Sequence, residues 1–139
     1  MAQVSRTYVL DANAVLDFAE AGPGSRKVER LLEEALRPQT AVLISVLNWG
    51  EVFYVLWQRG GEERARQTVA SLSRLPLQII PVHLEQVLKA GEIKVLHKIP
   101  YVDCFAAALA ALRQATLVTS DRDFEKLGRH FPVLWIARS

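Results

Sequence analysis

The chain has 139 residues, half of them hydrophobic and 23% charged, which predicts one compact domain over residues 1–139. Seventeen Lys and Arg against fifteen Asp and Glu give a formal net charge of +2, which permits a nucleic-acid partner without demanding one. The N-terminus lacks a signal-peptide pattern and no apolar run approaches the roughly 20 residues that span a bilayer, so we expect a cytoplasmic protein without a membrane partner. The single cysteine, Cys104, lies in an apolar stretch, and we expect it in the core.

Predicted strands and helices alternate along the chain. In chain order they are a strand at 7–10, a helix at 13–20, a helix capped by Ser25 and running up to Pro38, a strand at 41–45, helices at 46–58 and 62–75, a strand at 77–82, helices at 84–98 and 104–114, a strand at 116–119, a short helix at 123–128 and a strand at 133–136. The helix at 46–58 is so apolar that we expect neighbours on most of its sides. The alternation predicts an α/β fold with helices on both faces of a parallel sheet, and ligands at the carboxyl ends of its strands.

Two aspartates stand where predicted strands end. Asp11 directly follows the strand at 7–10, and Asp121 follows Ser120 after the strand at 116–119. Because parallel strands end at one edge of a sheet, we expect the two carboxylates in a shared pocket. Taken singly, each is explained as readily by a turn or a helix N-cap, where Asp is common.

Two further acids belong to predicted helices. Glu51 lies in the apolar helix at 46–58, where a charge is costly unless it faces water or binds something. Asn48 lies on the same side of that helix, so a solvated polar stripe is an equal alternative. Asp103 opens the helix at 104–114, where an N-cap is the simpler explanation when this residue is judged alone.

The acids together indicate a metal site. Carboxylates drawn into one pocket repel each other, and a hard divalent cation relieves that repulsion. Oxygen ligands favour Mg²⁺ or Mn²⁺ over zinc, and His83, His97 and His130 lack the spacing of metal ligands. No Gly-x-Ser-x-Gly motif occurs and Cys104 has an apolar setting, so metal-activated water is favoured over a covalent intermediate.

Four segments of the chain resemble the PIN domain family, and within it the VapC-type toxins of bacterial and archaeal toxin-antitoxin pairs. In order, they are Tyr8-Val9-Leu10-Asp11-Ala12-Asn13, Asn48-Trp49-Gly50-Glu51-Val52, Tyr101-Val102-Asp103-Cys104-Phe105-Ala106-Ala107-Ala108 and Leu117-Val118-Thr119-Ser120-Asp121-Arg122-Asp123-Phe124. Each segment alone is weak, but four in this order and spacing are fairly specific, and they cover nearly the full chain.

The resemblance implies a PIN-like three-layer sandwich that hydrolyses RNA phosphodiester bonds with bound Mg²⁺ or Mn²⁺. The carboxylates implied to hold the metal, with an accessory acid last, are Asp11, Glu51, Asp103, Asp121 and Asp123. Asn13 and Thr119 match residues that support the family's site. Similar toxins form homodimers and are silenced by an antitoxin, and the apolar side chains of the helix at 46–58 fit either such an interface or core packing.

Basic side chains are expected to guide the RNA backbone. Lys94, His97 and Lys98 lie about one helical turn apart just ahead of Asp103, and Arg122 is the second choice. For any one of them, an ordinary solvated helix face is the simpler explanation.

Other functions stay open at this point. One is a housekeeping RNA-processing nuclease with the same site. Another is a non-catalytic module that binds Mg²⁺ or RNA, such as a phosphoacceptor receiver domain. A receiver, by resemblance, has paired acids after its first strand, whereas here Asp11 stands alone and Glu51 lies within a helix.

Overall fold

A computed structural model describes residues 4–136 of the chain. Its strands are β1 (Arg6–Leu10), β2 (Thr40–Ser45), β3 (Gln78–Ile80), β4 (Thr116–Thr119) and β5 (Val133–Trp135). Its α-helices are α1 (Ala12–Ala19), α2 (Ser25–Glu34), α3 (Val46–Gly60), α4 (Glu62–Leu72), α5 (Leu84–His97) and α6 (Tyr101–Leu112). A 3₁₀ helix, Arg122–Leu127, joins β4 to β5.

The five strands form one parallel sheet in the order β3-β2-β1-β4-β5. β1 lies at its centre, with Val9 opposite Leu43 of β2 and Leu117 of β4. All five strands therefore end at the same edge, and the segments that follow β1, β2 and β4 meet there. The predicted α/β fold with a parallel sheet is confirmed.

Helices cover both faces of the sheet because successive strand side chains point to opposite sides. Val9 and Leu117 are fully buried in a cluster with residues of α5 and α6. Their neighbours Leu10 and Val118 are buried in a second cluster with residues of α1 to α4. The two clusters make the three layers that were expected. Cys104 is fully buried in the first of them, as predicted.

Some predicted boundaries and environments are wrong. α6 begins at Tyr101, because the backbone N–H groups of Asp103 and Cys104 already donate to the Pro100 carbonyl at 3.0 and 3.2 Å. Asp103 is thus a first-turn residue and not an N-cap. Gly24, not Ser25, is the N-cap of α2, and β3 has only three residues.

α3 also differs from its prediction. We expected neighbours on most sides, but Tyr54 and Trp57 are 51% and 41% exposed. Asn48, Val52 and Leu56 are its buried residues, with Trp49, Phe53 and Val55 half-buried beside them, so the helix packs through one face.

Across residues 4–136 no single helix is long and apolar enough to cross a membrane. α5 and α6 pass that test only when taken together, as a pair bent by 115°.

Candidate active site

Asp11 is fixed at the carboxyl end of the central strand. Its Oδ1 accepts from the Ala14 backbone N–H at 2.8 Å, which caps α1, and its Oδ2 accepts from the Thr119 hydroxyl. The residue is only 2% exposed. An N-cap bond satisfies one of the free N–H groups at a helix start, so the same carboxylate both begins α1 and holds its place at the sheet edge.

Thr119 joins the ends of β1 and β4. While its hydroxyl donates to Asp11, its Oγ1 accepts from the Asp121 backbone N–H at 2.9 Å. Asp121 Oδ1 in turn accepts from the Asp123 N–H at 2.9 Å, which starts the 3₁₀ helix. One buried hydroxyl therefore sets the separation between the Asp11 carboxylate and the chain that carries Asp121 and Asp123.

Glu51 and Asp103 come from two helices that pack together, α3 and α6. The buried Asn48 side chain, one turn before Glu51, donates from Nδ2 to the Val102 carbonyl at 3.3 Å. This bond ties the turn of α3 that carries Glu51 to the residue next to Asp103. Glu51 Oε1 is buried and has no hydrogen-bond partner among the described residues.

The predicted acids meet in one cavity of about 280 Å³ at the carboxyl edge of the sheet. Its lining includes Asp11, Asn13, Glu51, Asp103, Asp121 and Asp123. One carboxylate oxygen from each of Asp103, Asp121 and Asp123 lies within 4.8 Å of the other two. The structure thus brings together all the predicted acids and Asn13, with Thr119 buried against Asp11.

Burial and mutual repulsion make the carboxyl groups of this cavity costly to ionise. Burial, chiefly, raises the pKa of Asp11 to about 7, against the lowering effect of its bonds from Thr119 and Ala14. Burial also raises the pKa of Asp103 to about 7, and the charges of Asp121, Glu51 and Asp123 add to the rise. The pKa of Glu51 is raised by burial, with the Asn48 amide opposing and Asp121 adding to it.

These residues fit a hard divalent cation. The donors that face the cavity are carboxylate oxygens, which Mg²⁺ and Mn²⁺ prefer. Glu51 Oε1 is a buried acceptor in need of a positive partner, and such a group is costly to leave unpaired. A cation at this point would supply that partner and reduce the repulsion that raises the carboxylate pKa values.

The four basic residues predicted to contact RNA do not line this cavity. Lys94 Nζ donates to the Ile99 carbonyl at 2.9 Å, and His97 Nδ1 lies 3.0 Å from the Lys126 carbonyl. Lys98 ends α5 in a left-handed conformation, with φ of 57°. Arg122 lies over the ring of Trp135. Their contact with RNA stays a prediction.

Asn48 is the site residue that the sequence reasoning undervalued. The sequence indicates a polar stripe with Glu51 and a segment that resembles the PIN family, whereas the structure shows Asn48 fully buried and connecting α3 to α6. The available signal was an amide one helical turn before an acid in an otherwise apolar helix. Its partner, the Val102 carbonyl, lies 54 residues away and is not evident from local sequence.

Solved structures with this fold include several toxin-antitoxin proteins. A chain of VapBC from Salmonella typhimurium aligns with a TM-score of 0.76 at 19% identity, over 95% of this chain and 99% of that one. VapBC2 from Rickettsia felis gives 0.75 at 20%, over 94% and 99%. VapC20 of Mycobacterium tuberculosis, a sarcin-ricin loop cleaving toxin, gives 0.69 at 21%, over 87% and 95%. At these identities the likeness establishes the fold.

No curated protein sequence matches the chain. The profile of the PIN domain family matches residues 8–130, a span that contains every acid of the cavity. With the sheet order and the acidic cavity, this match establishes that the chain belongs to the PIN domain family.

Proposed function

We propose that this protein is a metal-dependent endoribonuclease and the toxin of a toxin-antitoxin pair. The observation that carries the proposal is the cavity at which carboxylates converge from the end of β1, from α3 and α6, and from the start of the 3₁₀ helix. Three of their oxygens lie within 4.8 Å of one another. Such a cluster of acids opposes folding of the metal-free protein, since its carboxylates repel each other, but it suits a bound cation.

The residues divide the work of phosphodiester hydrolysis between them. Asp11, Glu51, Asp103 and Asp121 would hold the metal, and Asp123 would assist them. A bound divalent cation would supply positive charge for the developing phosphorane-like transition state and would lower the pKa of a bound water toward neutrality. Thr119 fixes the position of the Asp11 carboxylate, and Asn48 ties the turn of α3 that carries Glu51 to α6. The carboxylates act as ligands and not as the general base.

The toxin assignment and the antitoxin partner rest on the solved structures. VapBC2 of Rickettsia felis and VapBC of Salmonella typhimurium were both solved with DNA, and a chain of a Klebsiella pneumoniae toxin-antitoxin complex aligns at 24% identity with a TM-score of 0.67. The description of VapC20 as a sarcin-ricin loop cleaving toxin supports a structured RNA as the substrate class.

Cleavage of a panel of structured RNAs tests the proposed activity. We expect the purified protein to cut at least one RNA at defined positions in Mg²⁺ or Mn²⁺, to stop in EDTA, and to resume when the metal is restored in excess. Cleavage that continues in EDTA would contradict metal-dependent hydrolysis.

The toxin role needs a separate readout. Induced expression of the wild-type chain is expected to slow bacterial growth, and the product of a small open reading frame overlapping the start of the gene is expected to restore it. Normal growth together with metal-dependent cleavage in vitro would favour the housekeeping nuclease over the toxin.

A second copy of this chain is our proposed partner on α5. Leu84, Leu88 and Val95 are 71%, 65% and 74% exposed, and their helical spacing puts them on one face of α5. Gly91 lies on the same face and has open space around it, so another helix can approach closely.

The dimer is tested by its mass in solution. We expect the wild type to sediment as a dimer and Leu88→Glu to sediment as a monomer, because the substitution buries a charge in an apolar contact. A monomeric wild type, or a Leu88→Glu variant that stays dimeric, would contradict this interface.

A further inference from the structure

The acidic cavity has an aromatic neighbour that the metal chemistry does not use. We infer that Trp135, with Arg122 over its ring, is a stacking site for a nucleobase of the bound RNA, next to the metal-binding carboxylates. The inference rests on the proposed RNA substrate and adds to it the place where one base is held.

Strand pairing puts Trp135 beside the cavity. Trp135 of β5 is in register with Thr119 of β4, and the two strands are parallel. Side chains paired in this way point to the same face, and neighbouring strands lie about 4.8 Å apart. Because the Thr119 hydroxyl contacts Asp11 and accepts from the Asp121 N–H, the indole lies one strand away from the base of the site.

Arg122 connects the indole to the acids. It stands between Asp121 and Asp123, both of which line the cavity, and its guanidinium carbon lies 4.6 Å from the centroid of the Trp135 ring. Its side chain is 44% exposed, and its ion pair with Glu125, at 3.5 Å, is an exposed one that holds it weakly. The Arg122 side chain is thus held over an aromatic ring and is still accessible to a ligand.

This pair supplies what the acidic cavity lacks. Carboxylates attract a cation but repel the phosphates of RNA, so binding energy for the strand must come from outside the cavity. Indole rings and guanidinium planes both stack on nucleobases, and such contacts tolerate any base because every base has a π face. A groove of about 500 Å³ continues from Trp135 along β5, past Phe131 and Arg129, and gives the strand room on that side.

The chain provides its own control pair. On α3 and α4, the guanidinium of Arg66 lies 5.7 Å from the centroid of the Trp57 ring and 5.2 Å from that of Phe53. Neither Trp57 nor Arg66 is next in sequence to a residue that lines the acidic cavity, whereas Arg122 stands between two that do. The two pairs have similar chemistry but differ in position, so a loss confined to Trp135 and Arg122 reports the site and not a general effect of removing an Arg–Trp contact.

RNA binding in an Asp11→Asn background, which limits cleavage, tests the inference at fixed Mg²⁺. Anisotropy of a labelled oligoribonucleotide is compared with that of a matched oligomer that carries abasic positions. We expect Trp135→Leu to weaken binding of the intact RNA about fivefold or more, the size of one lost stacking contact. We expect Arg122→Lys, which keeps the charge, to weaken it also, and Trp135→Phe to retain most of it. The abasic oligomer should bind all of them almost equally, and Trp57→Phe and Arg66→Lys should match the parent.

Two results would overturn the stacking site: unchanged affinity for the intact RNA, or an equal loss with both oligomers, which would make Arg122 a phosphate contact. Thermal unfolding checks each variant, and if Trp135→Leu does not fold, the exposed Arg122→Lys decides alone. If binding depends on the bases but the wild type does not cleave RNA, the proposed nuclease activity is contradicted and the stacking site is retained. If the wild type cleaves RNA with bound metal but neither substitution changes binding, the nuclease is retained and the stacking site is contradicted.

Discussion

Asp103→Asn is expected to lower RNA cleavage by at least about 100-fold at saturating Mg²⁺, since losing even an outer partner of a metal ligand typically costs 10- to 100-fold. The charges of Asp121, Glu51 and Asp123 all add to the raised pKa of the Asp103 carboxyl, so this acid interacts with most of the others in the site. Asn has the same shape but no charge, so the variant removes a ligand without opening a cavity. Single-turnover rates measure the effect.

The matched control is Glu62→Gln, which neutralises an exposed carboxylate on α4, where Glu62 bonds Arg66 at 2.9 Å. We expect this variant to cleave at the wild-type rate. An Asp103→Asn protein that cleaves within a few-fold of wild type would remove Asp103 from the catalytic centre. Thermal unfolding without metal shows whether a loss of cleavage reflects chemistry or misfolding.

Asp11→Asn is expected to stabilise the metal-free protein at pH 8 but not at pH 4. Burial raises the pKa of Asp11 to about 7, against an ordinary value of 3.8. Below pH 3.8 the carboxyl is protonated in the folded and unfolded chains alike, and its contribution to stability is fully present. As the pH rises, the unfolded chain releases this proton first, so that contribution shrinks and is lost once the pH passes about 7.

Asn cannot ionise, so the Asp11→Asn variant does not lose this contribution to stability as the pH rises. We expect the free energy of unfolding at pH 8 to be roughly 2 kcal/mol higher than for the wild type, from the size of the pKa shift discounted for relaxation of the site. Urea unfolding at both pH values, in EDTA, gives the comparison. Equal stabilities at pH 8, or a variant that is stabilised equally at pH 4, would show that ionisation of Asp11 does not oppose folding.

Much of the site was predictable because strand ends are visible in sequence. Asp11 directly follows one strand pattern, Asp121 comes one residue after the end of another, and a parallel sheet brings such positions to one edge. The competing explanation, a helix cap, is also true of Asp11, since its Oδ1 caps α1 while the residue lines the cavity. A cap and a metal ligand are therefore compatible roles for one carboxylate.

The features that sequence could not place depend on contacts that helical spacing and capping patterns do not show. Lys94, His97 and Lys98 are close by helical spacing alone, but packing directs Lys94 to the Ile99 carbonyl and His97 to the Lys126 carbonyl. The start of α6 was missed because it depends on bonds to the Pro100 carbonyl and not on an Asp cap. Trp135 is placed near the site by its register with Thr119, a pairing that its own sequence neighbours do not show.

The central claim, that these carboxylates hold a divalent cation, is tested most directly by Mn²⁺ binding. The paramagnetic resonance signal of free Mn²⁺ falls as the ion binds, so a titration gives affinity and stoichiometry without any RNA. We expect the wild type and Glu62→Gln to bind at least one ion alike, and Asp103→Asn to bind about 10-fold or more weakly. A wild type that leaves Mn²⁺ free, or an Asp103→Asn variant that binds as the wild type does, would contradict the account.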